Sequence, residues 1–150
     1  MNGADFQFST VAQVIQLAVA PVFLLSGVGI MLTVLTGRLA RVVERARDVE
    51  AAAKSAAPTD YRLHQQQLQV LARRARLMNR AITLCTVCAL LVAFVVVALF
   101  VGAFVEFGLA TAIALMFIVA MLSFIAALLC FLREVFLAIA SLRIGVKDLK

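Results

Sequence analysis

The chain has 150 residues, of which 65% are hydrophobic and 15% charged, against roughly 45–50% and about 25% in a soluble globular domain. A fold of this length cannot hide so much apolar surface behind a wet exterior, and a disordered chain would be poorer in apolar residues. Two prolines exclude a proline-rich or collagenous protein, and one histidine with three cysteines excludes a zinc or disulfide scaffold within one chain; an all-α integral membrane protein remains.

The first element is a span over about residues 11–36, inside a run from Phe6 to Gly37 that holds no charged residue. At 1.5 Å per residue it is long enough for a hydrocarbon core of about 30 Å. Ala18-Val19-Ala20 imitates a signal-peptide cleavage site, yet no basic residue precedes it and Pro21 would follow the cut. The apolar run also continues to Thr36, which is the layout of a retained span.

Gln13 and Gln16, three residues apart, share a face near the N-terminal end of this span. Two readings stay open for them: a polar pore lining, or hydrogen bonds to packed helices, with headgroup contact also within reach. Pro21, followed by Gly27 and Gly29, is a candidate kink. At 100° per residue, Gln13, Gln16, Ala20 and Gly27 cluster on one side, with Ser26, Gly29, Thr33 and Thr36 roughly opposite. Either two different neighbours or a gating kink would explain such a swap.

Residues 38–80 form the one sizeable segment outside the bilayer. Apolar residues recur at Leu39, Val42, Ala46, Val49 and Ala53, then at Tyr61, Leu68, Leu71, Ala75, Met78 and Ile82, with His64 completing the second series. The alternation of threes and fours is a heptad, coiled-coil seam. Between the two series, Pro58 disfavours helix just before it and Thr59 or Asp60 can cap the next start. The spacing predicts an antiparallel helical hairpin, its arms continuous with the flanking spans: helices over about 9–57 and 60–105. His64 reads as a hydrated seam residue.

The second span covers about 81–105 and contains Cys85-Thr86-Val87-Cys88. With no second pair and no adjacent histidine, the cysteines read as small packing residues; i and i+3 in a helix suit a disulfide poorly. Glu106 sits in a short hairpin bracketed by Gly102 and Gly108, where copies in an oligomer would contribute a ring of charge. The third span, about 107–132, carries the small-residue stripe Ala120, Ser123, Ala127 and Cys130, which suits close helix packing. Four residues on, Glu134 continues that face, and Arg38, Arg41 or Arg80 is its expected partner. The third helix should run from near Gly108 to about Leu142, with 133–150 on the polar side.

All 14 Lys and Arg residues lie within 38–80 or 133–150. Loops rich in Lys and Arg stay in the cytoplasm, which with three spans places the N-terminus outside and the C-terminus inside. Topology explains most of this positive charge, and attraction to anionic lipid headgroups is an additional reading. Nucleic-acid binding would need interleaved aromatics, and the segment has Tyr61 alone. Gly27-Val28-Gly29 is no dinucleotide loop, because Leu32 stands where the third glycine would be.

The stretch Ala12-Gln13-Val14-Ile15-Gln16-Leu17-Ala18-Val19-Ala20-Pro21-Val22-Phe23-Leu24-Leu25 leads into Gly37-Arg38-Leu39-Ala40-Arg41-Val42-Val43. Leu71-Ala72-Arg73-Arg74-Ala75-Arg76-Leu77 then precedes Asn79-Arg80-Ala81-Ile82. On these residues the chain, over roughly 8–135, resembles the bacterial domain-of-unknown-function family 2721. The resemblance implies a bacterial inner-membrane protein with three spans, and supplies neither catalytic residues nor a ligand.

No catalytic, metal or cofactor constellation is present, so the expectation is a non-enzyme without cofactors. The three spans lack ionisable residues other than cysteine, which disfavours an ion-coupled transporter. Two classes remain for a single membrane domain that partners the lipid bilayer and copies of itself. One is a homo-oligomeric pore with Gln13, Gln16 and Glu106 as candidate lining. The other is a scaffold or accessory subunit whose cytoplasmic hairpin recruits a partner.

Overall fold

A computed structural model describes the backbone of residues 3–55, 61–104 and 110–145, and side chains over 12–54, 64–102 and 110–138. The described chain is all-helical: α1 (Gly3–Ser55), α2 (Tyr61–Phe104) and α3 (Ala110–Gly145). α1 begins six residues earlier than its spacing predicts; Phe6-Gln7-Phe8-Ser9-Thr10 contains no glycine or proline to stop it. The other ends fall within about three residues of expectation, the ordinary ambiguity of a helix terminus. The predicted break at Pro58, Thr59 and Asp60, and the short connection carrying Glu106, lie outside the described residues.

All three helices are long and apolar enough to cross a membrane, over Ala12–Lys54, His64–Gly102 and Ala110–Ala138. In their most apolar stretches, 17%, 22% and 11% of residues are buried by the chain itself. The remaining apolar surface, Phe23 at 74% exposure among it, needs lipid or another protein to cover it.

By contacts the chain divides into two compact units, and each helix contributes to both. One unit comprises Met1–Leu32 and Leu84–Ile125. Its packed positions are Ala18, Val28, Cys85, Cys88, Val92, Val95 and Ala120, with Pro21 also buried. Cys85 and Cys88 are free thiols on the packed face of α2, in the place the sequence gives to small packing residues. α1 continues through Pro21 without interruption. None of the described glycines needs a positive φ.

The other unit comprises Thr33–Thr83 and Ala126–Lys150 and contains every Lys and Arg of the chain. Its core is Val42, Leu71 and Met78, packed against Leu39, Ala46, Val49 and Ala75. Each fully buried side chain of this size stabilises the packed state by about 1.5–3 kcal/mol relative to exposure. The predicted seam positions with described side chains are shielded: Ala53, His64, Leu68 and Ile82 are also at least half-buried, while Ala40, Arg41, Val43 and Glu44 are exposed; Tyr61 lies outside the described side chains. Period matters here more than hydrophobicity, because exposed Val43 and buried Val42 are the same residue type one position apart.

The buried positions repeat at sevens in each helix: Pro21, Val28, Leu35 and Val42 in α1; Leu71, Met78, Cys85 and Val92 in α2; Ala120, Ala127 and Glu134 in α3. A seven-residue repeat keeps one face of a 3.6-residue helix toward its neighbours only if the helix supercoils slightly. On α1 neither of the two small or polar faces is the one packed within the chain. Gln13, Gln16, Ala20 and Gly27 are exposed, and so are Ser26, Gly29, Thr33 and Thr36; the packed face is Ala18, Pro21, Val28 and Leu35. Bulkier residues fill the space between helices, and a Cβ built on Gly27 or Gly29 would touch nothing within 4 Å.

Candidate functional site

The charged unit contains a buried carboxylate. The Ala127-to-Glu134 spacing on α3 keeps both residues on the packed face, and Glu134 has 0% exposure. A carboxylate cannot be held there uncompensated, since desolvation costs several kcal/mol. Compensation comes from arginines of the other two helices. Arg74 of α2 donates from both Nε and Nη2 to Glu134 Oε1, at 3.2 and 2.8 Å. Arg38 of α1 brings Nη1 to 3.3 Å from Oε2. That second contact is an ion pair without hydrogen-bond geometry, so Oε2 has no hydrogen-bond partner among the described residues.

Arg38 is further held by its guanidinium lying 5.3 Å from the centroid of the Phe131 ring, a cation–π contact that lowers the cost of its partial desolvation. The side chains of Arg74 and Arg38 keep 20% and 36% of their exposure. Their guanidinium heads thus reach both the carboxylate and water.

These contacts meet the expectation for Glu134 in part. Its face is as predicted, and Arg38 is among the named partners; Arg41 and Arg80 are not in contact with it, and Arg74 takes that place. Both of the unused arginines are exposed. Arg74 lies three residues after Leu71 and four before Met78, so it flanks the packed face of α2. That position beside a heptad core was the available signal.

Beside this cluster is a recess of about 240 Å³ lined by Arg38, Arg41, Arg45 and Arg74 over a floor of Val42, Leu71 and Met78. A shallower groove is bordered by Arg45, Asp48, Val49, Ala52, His64 and Gln67, which places His64 at the seam. Of the remaining candidate residues, Gln13 and Gln16 are exposed on α1 and neither amide side chain makes a hydrogen bond among the described residues. Ser123 and Cys130 are half-buried, and Ala120 and Ala127 fully buried; Glu106 lies outside the described residues. Among the described residues, no group of three His, Cys, Asp or Glu side chains could hold a metal ion.

Three apolar helices of spanning length define a multi-pass membrane protein. The chain belongs to the family described as "Protein of unknown function (DUF2721)", whose model matches residues 18–144. The match takes in all four arginines of the recess and Glu134. Comparison with curated proteins and with solved structures gave no match.

Proposed function

We propose that the protein is a homo-oligomer of the bacterial inner membrane, its N-terminus outside and its C-terminus in the cytoplasm, and that its copies together form an ion-conducting pore. It is no enzyme in this reading and uses no cofactor. Three helices enclose no channel by themselves, so conduction requires several copies. The observation that carries the reading is the exposure of Gln13 and Gln16 on an apolar helix, with no hydrogen bond from either amide among the described residues. Side-chain amides within a membrane seek protein or water rather than lipid, and a second copy or a wet pathway supplies one or the other.

A scaffold is the second reading, and one surface favours it. On the charged part of α1, Leu39, Ala40, Val43, Glu44, Arg47 and Asp48 border an open groove of about 620 Å³. Apolar residues beside both signs of charge suit a partner helix.

The deciding experiment is mass in detergent followed by conductance in a planar bilayer. A conducting ring supports the pore; a monomer ends it. Gln16→Leu should lower conductance and leave assembly intact if the amide lines a wet entrance. If the amide bonds a neighbouring helix instead, assembly should weaken by about 1 kcal/mol per lost bond. Gln16→Glu should be tolerated in a cation pathway and shift its ion preference. Unchanged conductance together with weakened assembly would reject the pore assignment for this face.

A further inference from the structure

We infer that the recess between α1 and α2 is a binding site for a phosphate group, built from Arg38, Arg41, Arg45 and Arg74. The first three follow one another at spacings of three and four along α1, so they share one face, and Arg74 approaches from α2. Four guanidinium groups line a volume of about 240 Å³, where their mutual repulsion is offset by Glu134, which engages two of them. Arg41 and Arg45 have no ion pair among the described residues, although Asp48 lies one turn from Glu44 on the same helix and borders the neighbouring groove with Arg45. The cluster therefore carries unspent positive charge and forked N–H donors, the donor set that matches phosphate oxygens bidentately.

Its position indicates which phosphate is within reach. Arg38 is the first charged residue after the uncharged run of α1, and Arg74 precedes the uncharged run of α2 by one to two turns. At 1.5 Å per residue, the four side chains originate about 2–12 Å beyond the ends of those runs, which overlaps the headgroup layer of a bilayer. The apolar floor of Val42, Leu71 and Met78 suits the glycerol portion of a lipid. A lipid phosphodiester and a free phosphate present the same oxygens, and the two sources are separable by experiment. This site is more specific than a general attraction of basic segments for anionic membranes, and it stands whether or not the protein conducts.

The test uses the full chain purified in a neutral detergent. Retention of phosphatidylglycerol against phosphatidylcholine is read by native mass spectrometry, and inorganic phosphate is titrated calorimetrically in the same detergent. Arg41→Gln with Arg45→Gln is compared with Arg73→Gln with Arg76→Gln, a pair that is exposed, outside the recess and equal in charge removed. The recess pair should lower phosphatidylglycerol retention about tenfold below the control pair, since a forked contact adds to the general surface attraction. Arg41→Lys with Arg45→Lys keeps the charge and loses the fork, and should fall between the two. Phosphate binding that the recess pair abolishes, with lipid retention unchanged, upholds the site and assigns it a soluble ligand. Equal losses in both glutamine pairs would mean diffuse surface charge and overturn the site, as would the absence of both ligands from the wild-type chain.

Discussion

Glu134 shows how one residue can be legible in kind and illegible in partner. Its place on the small-residue face of α3 follows from spacing alone, whereas the choice of Arg74 depends on how two helices 60 positions apart in sequence face each other. No local pattern carries that information. Removing the carboxylate leaves two partly buried guanidinium groups opposed to each other. We expect Glu134→Ala to destabilise the protein by about 3 kcal/mol, the lower end of the cost of breaking a buried pair, because both arginines retain some water. Arg41→Ala, at an exposed position outside the ion pairs, should stay within about 0.5 kcal/mol. Denaturant or thermal unfolding in detergent compares the two, and equal stability would remove Glu134 from the structural account.

Helix faces were readable where the seam is polar on both flanks and obscure where everything is apolar. In α1 beyond Gly37 and in α2 before Ala81, charged residues mark the outward positions, so Val42, Leu71 and Met78 stand out as core. Inside the spans that contrast vanishes, because lipid accepts apolar side chains as readily as a neighbouring helix does. Small and polar residues on α1 then drew attention to two faces that the chain leaves exposed, while Val28 and Leu35, at 0% exposure, fill the packed one. The seam yields a direct comparison. Leu71→Asp places a charge at a position 8% exposed and should cost about 3 kcal/mol or more; Gln66→Lys, exposed on the same helix, should be neutral. Loss of helicity or of unfolding cooperativity is the readout, and equal tolerance of both changes would refute the seam.

At the level of the whole chain, the distribution of charge predicts topology. A reporter fused after Lys150 should be active in the cytoplasm, and one inserted beside Glu106 should report the periplasm, because all 14 basic residues then share one side. A cytoplasmic signal from the Glu106 insertion would overturn the orientation. α1 is the element on which length matters most, being one unbroken helix of 53 residues whose packed positions recur every seven. A single codon inserted near Gly37 would turn every later residue by about 100°, carrying Val42 and Val49 off the seam while leaving Pro21, Val28 and Leu35 in place. Natural change in the length of this helix should therefore be quantised: gains and losses of seven residues, or of three and four in compensating pairs, preserve its phase, and single-residue indels do not.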